Sequence, residues 1–375
     1  MKRLFNKLMK LCSDNTDPFF YYKDVTSAMG TPMRIFSYRH GISYTAWERP
    51  GALSCRGIMY EMDGDVPVRC AAHPQEKFFN LGEVESTRGL DMKDALFYTF
   101  KEDGSIISTF EDKGVLGYKS MESLYSEHVE EAGIWFNGQP ELKERVLQLA
   151  KDGFTCNFEY CGPKHTIIVS QQETKLVLLS IRNAKTGKYV GYDEIFADAV
   201  LRPYMVEVYD ASVCSDDWVD EVRAMEDIEG YIIQFPDQKV KLKTDWYCGR
   251  HDTKSAISGK RRLAKMCVAG TTDDIRGMFV DDIYSMKKIK AFEDKYHNTL
   301  GEWYKEIIEF FEANRHHGRR EYAHSASVVF KGRTYLFNIV MHCYSGYSQE
   351  MVVDEIRKTM VWSDNINLII PSEYA

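Results

Sequence analysis

Apolar positions recur with different periods in different parts of this chain. Near the start, Leu4, Phe5, Leu8, Met9 and Leu11 return every three or four residues around Lys7 and Lys10, which predicts an amphipathic helix. From there to about residue 250 the apolar runs are short. "RGIMYEM", "LFYTF", "IISTF", "KLVLLSIR", "YIIQF" and "KVKLK" are bounded by Gly, Asp, Lys and Pro, the pattern of strands joined by turns. Beyond residue 252 the spacing lengthens again. Met286, Ile289, Phe292, Tyr296, Leu300, Trp303, Ile307 and Phe310 mark the buried stripe of a long helix, and "EMVVDEIRKTMVW" reads as another. Proline, which interrupts helices, follows the same division: nine of ten lie at or before Pro236 and the tenth is Pro371. The pattern predicts an α+β fold, with a mixed domain over residues 1–252 and an all-α domain over 253–375.

Composition adds limits. A chain of 375 residues with 44% hydrophobic residues can bury a large core, enough for two domains. Nine cysteines without a Cys-x-x-Cys pair or a histidine at metal spacing read as core thiols in a reducing, cytoplasmic setting. Lysines interrupt the N-terminal apolar pattern, so it is not a signal peptide. No run approaches the roughly 18 apolar residues of a membrane span, and no membrane partner is expected. The formal charge of −8 repels nucleic acid in bulk, so such a partner needs a local basic site. Residues 252–375 carry 18 Lys and Arg against 17 Asp and Glu, a net of +1, which leaves −9 for the rest. No repeat, Walker-type loop or dinucleotide fingerprint is present.

One stretch carries candidate chemistry. In "YTFKEDGSIISTF", Lys101 stands where a strand meets a turn. An ordinary lysine, with pKa near 10.4, is only about one-thousandth neutral at pH 7, so a nucleophilic one needs burial or nearby cations. The chain offers Arg56, Lys77 and Lys119 on strand-like segments, and Lys241 with Lys243 share one face of "VKLK" by their period of two. Gly104 would let the backbone turn tightly, and Asp103 would bond a backbone or ribose group. Glu159 in "NFEYCG" and Glu229 in "IEGYII" are acids in apolar, strand-like surroundings. Inward acids and bases around a lysine would suit a metal and a triphosphate. Against this stands the plain alternative of a surface hairpin and solvated charges.

The order of Lys-Glu-Asp-Gly at 101, "FEY" at 158, "IEGYII" at 228 and "VKLK" at 240 resembles the motif series of the covalent nucleotidyltransferases. "LSCRGIMYEMDG", "EKFFNLGE", "KTDWY" and "LRPYMVEVY" are similar to the phage RNA ligase 1 branch, nearly end to end. The resemblance implies a nucleotidyltransferase-type domain of antiparallel sheets and an appended helical domain that recognises RNA. It implies an ATP-dependent RNA ligase joining a 5′-phosphate to a 3′-hydroxyl through lysine-AMP and RNA-adenylate intermediates. Lys101 would be the nucleophile. Arg56 and Lys77 would meet the AMP phosphate or the RNA end, Glu159 the ribose, and Lys241 with Lys243 the reacting phosphates. Glu229 would hold Mg²⁺ or Mn²⁺, with Asp273 as a further metal candidate. Tyr38 and Tyr247 match tyrosines near nucleotide or substrate, and Lys119 is an accessory candidate. Expected partners are ATP and RNA ends, including a cleaved tRNA anticodon loop, bound by a monomer in the cytoplasm of an infected cell if phage-encoded. A DNA ligase or capping enzyme is the alternative within this chemistry. Outside it stands a non-catalytic RNA-binding protein, served by the basic clusters at 259, 287 and 315. His316 and His317 are adjacent and cannot share one helix face, so they do not read as a metal pair.

Overall fold

The protein is described by a computed structural model that covers residues 2–13, 19–39, 44–165, 167–272, 275, 276, 279, 282–362 and 364–374. It divides into two compact units, Met1–Cys248 and Gly249–Ala375.

Three sheets build the first unit. In the first, β1 (Phe20–Thr26), β2 (Pro32–Tyr38), β3 (Met59–Asp63) and β4 (Val66–Ala72) pair antiparallel in chain order. Strand β2 is buried on both faces. On one, Phe36 meets helix α1 (Lys2–Cys12), whose predicted stripe is realised by Phe5, Leu8 and Leu11. Phe5 packs edge-on against Phe36 and Tyr60, with ring centroids 5.6 and 5.1 Å away. Each such apolar side chain contributes about 1.5–3 kcal/mol by leaving water. On the other face, Met33 and Ile35 pack with Ala72 and Phe110.

The second sheet has the order β10-β9-β7-β8, from β7 (Ser105–Asp112), β8 (Val115–Lys119), β9 (Phe154–Cys161) and β10 (Lys175–Asn183). Helices α2 (Glu127–Asn137) and α3 (Pro140–Lys151) bring Phe136 and Val146 into a core with Ile107, Phe158 and Leu178. The third sheet has the order β11-β6-β12-β13-β5, from β5 (Phe79–Asn80), β6 (Phe97–Phe100), β11 (Val208–Asp210), β12 (Gly230–Gln234) and β13 (Lys239–Lys243). Its pairs are antiparallel except β13 with β5. Trp218 and Val222 of a helix over Asp216–Ala224 cover Val240 and Leu242. The alternation of β13 therefore leaves Lys239, Lys241 and Lys243 together on its opposite face.

The second unit is helical. The helix Asp245–Ser258 runs from the first unit into it, and Lys260–Ala269, Ile283–Asn314, Arg319–Val329, Thr334–Tyr344 and Gln349–Met360 follow. The long helix buries Ile289, Phe292, Tyr296, Trp303, Ile307 and Phe310 of the expected stripe, while Met286 and Leu300 are half-buried. An α+β unit with antiparallel sheets thus precedes an all-helical one. Among the described residues no helix is long and apolar enough to cross a membrane.

Candidate active site

Lys101 directly follows β6, and its amide donates to the Gly230 carbonyl at 2.9 Å. Its Nζ lies 2.5 Å from Oε2 of Glu229, whose other oxygen, Oε1, lies 2.8 Å from Nζ of Lys243. One buried carboxylate therefore holds two ammonium groups. Gly230 makes this possible. Its φ is +133°, and a Cβ there would sit 2.0 Å from the Leu242 carbonyl oxygen, so only glycine lets the chain after Glu229 come so close to β13.

The turn after Lys101 is fastened from three directions. Buried Asp103 accepts hydrogen bonds from the amides of Ile168 and Val169 through Oδ2, each 2.7 Å, and from the Tyr247 hydroxyl through Oδ1, also 2.7 Å. Of the two partners expected for Asp103, the backbone is the one it meets. Glu102 pairs with Lys175 at 2.9 Å. Gly104 does not have the positive φ that a tight-turn reading implies; instead a Cβ would meet the Tyr160 carbonyl oxygen at 2.2 Å, so the glycine permits close approach to β9.

Above this turn lies a cavity of about 210 Å³. Lys101, Arg56, Lys241 and Glu159 supply its charge, and Leu179, Tyr192, Val206 and Ile232 are among its apolar walls. Alternation from Val177, which pairs with Glu159, puts Leu179 in the wall, and the register shift between Leu178 and Ser180 turns Ser180 to the same face. Burial pushes Lys241 down to about 7, with the charges of Lys77, Lys101, Arg56 and Lys243 acting in the same direction. Its Nζ lies 4.9 Å from the centre of the Phe78 ring. Burial also pushes Glu159 up to about 7; Glu229 adds to this and Lys101 opposes it. The cavity holds more positive than negative groups, the setting for an anionic ligand with an apolar part.

The other expected residues lie around this core. Lys77 borders a neighbouring cavity, 5.1 Å from the Phe79 ring centre, and burial lowers its pKa. Tyr38 packs edge-on against Trp47 at 4.7 Å. Lys119 is fully buried, donates to the carbonyls of Ser120 at 2.6 Å and Met121 at 3.3 Å, and is pushed down to about 7 chiefly by burial and then by Arg56. It lies under Gly57, beside Arg56, and does not border the cavity. Tyr247 is buried, with its ring 4.7 Å from Nζ of Lys243. Asp273 lies outside the described residues. Among the described residues no three ligating His, Cys, Asp or Glu side chains cluster as a metal site. Sequence reasoning missed Lys239, Gln75 and Phe78, which also border the cavity. The period of two in "KVKLK" could have found Lys239. Nothing local marks the other two.

Known proteins match both units. Residues 54–247 match a family described as RNA ligase, and residues 254–374 match the T4 RNA ligase 1 C-terminal domain. A putative RNA ligase of Thermovibrio ammonificans is 22% identical over 280 residues, 70% of this chain and 71% of that protein. RNA ligase 1 of bacteriophage TS2126 is 29% identical over 206 residues, 52% of this chain and about half (51%) of the relative's length. An archaeal ATP-dependent RNA ligase superposes with TM-score 0.46 at 14% identity, covering 73% of this chain and 76% of that one. A Naegleria gruberi RNA ligase in its apo state gives TM-score 0.38 at 10% identity, covering 52% and 65%. With the two family matches following one another along one chain, the first over half of it, the protein belongs to the T4 RNA ligase 1 family of RNA ligases.

Proposed function

We propose that the chain seals RNA ends in three phosphoryl transfers, the first on its own Lys101. The observation that supports this reading best is Lys101 on a cavity with Arg56, Lys241 and Glu159, paired behind to Glu229. Nζ of Lys101 attacks the α-phosphorus of ATP; an N–P bond forms, the P–O bond to pyrophosphate breaks, and Oε2 of Glu229, 2.5 Å away, is the nearest base for the departing proton. Arg56 and Lys241 offset the charge that gathers on the phosphate oxygens. The apolar walls take the adenine and Glu159 takes a ribose hydroxyl. An oxygen of an RNA 5′-phosphate then attacks the AMP phosphorus and the N–P bond breaks, returning the amine. Last, an RNA 3′-hydroxyl attacks the 5′-phosphorus, and AMP leaves.

A divalent ion would suit this site through Glu229, since Mg²⁺ and Mn²⁺ take one or two carboxylates with phosphate oxygens completing the shell. Such an ion supplies charge neutralisation of the phosphates. Glu229 is engaged by two ammonium groups and would hold such an ion only as a carboxylate, not in the state in which it carries the Lys101 proton. The helical part, with basic residues at 260–262, 287–290 and 315–320, would position a structured RNA such as a broken anticodon loop, in a repair role. Residues 1–252 and 253–375 are thus read as an adenylyltransferase domain and an RNA-recognition domain.

The test is incubation with ATP labelled at the α-phosphate. The chain should take up acid-labile AMP, and Lys101→Ala should not; Lys101→Arg should also fail, because guanidinium stays protonated. Label retained at the normal level in Lys101→Ala would remove the mechanism.

A further inference from the structure

A second cavity, of about 300 Å³, lies beside the first. Phe78 and Lys239 border both, and Lys77 borders the second alone. Among the described residues neither the Lys77 nor the Lys239 side-chain amine has a hydrogen bond or ion pair; that of Lys77 lies over the Trp47 and Phe79 rings, and that of Lys239 4.3 Å from the Tyr189 centre. Of the two acids at this rim, Glu76 is engaged with Arg182 and accepts from Ser54, and Asp237 is exposed to solvent. Leu53, Phe79 and Pro236 add apolar wall. Gln234 and Gln238 spend their amide NH groups on the carbonyls of Phe235, Gln238 and Ser86, which leaves side-chain oxygens as acceptors.

Two unpaired amines with apolar walls and amide acceptors fit a nucleotide rather than a bare phosphate group. Resting on the ligase reading above, we infer that this second cavity seats the terminal nucleotide of the RNA strand that carries the 5′-phosphate, with Lys77 and Lys239 on its phosphate and Phe79 against its base. The first cavity, at about 210 Å³, takes the AMP. The pyrophosphate part of ATP could use the same two amines, but it has no use for an apolar wall. The shared wall is what the chemistry requires, because the 5′-phosphate must reach the AMP phosphorus while its own base stays outside the adenine slot.

The test introduces charge of either sign at Leu53, a partly exposed rim residue of the second cavity alone. Leu53→Glu and Leu53→Lys are close in size and opposite in sign. Both should form lysine-AMP within about twofold of the unmodified chain, since ATP does not enter this cavity. With 5′-phosphorylated RNA, Leu53→Glu should raise the concentration for half-maximal AMP transfer tenfold or more, an effect that shrinks with salt, while Leu53→Lys should not raise it. Ser86→Trp, on an exposed turn at the same rim, should raise it too by filling the space. Removal of AMP by added pyrophosphate should be unaffected in all three. Equal losses in Leu53→Glu and Leu53→Lys would overturn the seat. So would a loss confined to the pyrophosphate reaction, which would assign the cavity to the ATP tail. Failure of the unmodified chain to form lysine-AMP is a separate outcome, and it would overturn the ligase reading and this seat together.

Discussion

Nucleotide binding should draw a proton from solution, and Lys241 should be the group that takes it. Its amine is pushed down to about 7 in the free protein, so at pH 8 only about one-tenth of the molecules carry the charge there. A bound phosphate favours the charged form, so binding should take up about 0.9 proton at pH 8 and about 0.1 at pH 6 from this group. The sign follows from linkage. Because the folded pKa lies below the unfolded value near 10.4, the unfolded chain binds more protons between about pH 7 and 10; the free protein gains stability as pH rises through that window while losing affinity for the anion. Affinity should fall by almost tenfold per unit above about pH 7.5. Glu159, raised to about 7, acts in the opposite sense on stability, which falls as pH rises from about 4 to 7. Titration calorimetry with an ATP analogue bridged by methylene between the α and β phosphates, run in buffers of different ionisation enthalpy, reads the proton count directly. Lys241→Gln should bring the uptake at pH 8 below about 0.2. An uptake equal to that of the unmodified chain would refute the assignment, as would an affinity flat from pH 7 to 9.

Three further outcomes are expected. Gly104→Ala puts a methyl 2.2 Å from the Tyr160 carbonyl oxygen, a backbone atom that cannot swing away, and should cost about 1–3 kcal/mol in thermal or denaturant unfolding and slow lysine-AMP formation; a neutral result would show that the turn is slack. Glu229→Gln leaves two partly buried ammonium groups without their shared acid, and should destabilise the chain by about 2–4 kcal/mol and cut the adenylylation rate at least a hundredfold, measured by label incorporation; a rate within tenfold of normal would exclude Glu229 from the proton transfer. A chain ending at Ser258, which keeps the helix Asp245–Ser258 whole, should still take the AMP label but lose activity on a nicked stem-loop more than on an unstructured oligonucleotide; equal losses would argue for a structural role of the remainder.

Periodicity was enough to read the helical half, since Ile289 to Phe310 occupy one face whatever lies beyond it, and burial simply follows the stripe. Alternation along β13 likewise grouped Lys241 with Lys243, and carried one step back it reaches Lys239. The rest of the site was out of reach for a topological reason. Asp103 meets Ile168, Val169 and Tyr247, partners 65, 66 and 144 residues away, and no local pattern announces such pairs. Leu179 borders the cavity because β10 pairs with β9 so that Val177 stands opposite Glu159, a pairing that no local pattern announces. Lys119, an accessory candidate from its strand position, donates to two carbonyls beside Arg56, a burial that its strand position alone does not announce. Gly104 was right in identity and wrong in cause, because crowding by a distant strand leaves the same residue as a tight turn would.

The turn from Lys101 to Gly104 is also the point at which the chain leaves the sheet of β6 for the sheet of β7, so Lys101 stands at the crease between two otherwise separate layers. Glu159 belongs to one layer and Lys241 to the other. The angle at that crease is locked by Asp103, which does not border the cavity, and by the contact under Gly104, while the wall proposed for the base is formed by Leu179, Tyr192, Val206 and Ile232. Alignment of the reacting groups and choice of base therefore rest on different side chains. Selection acting on the wall can reshape which nucleotide is accepted while the crease, and with it the reach of Lys101, stays as it is.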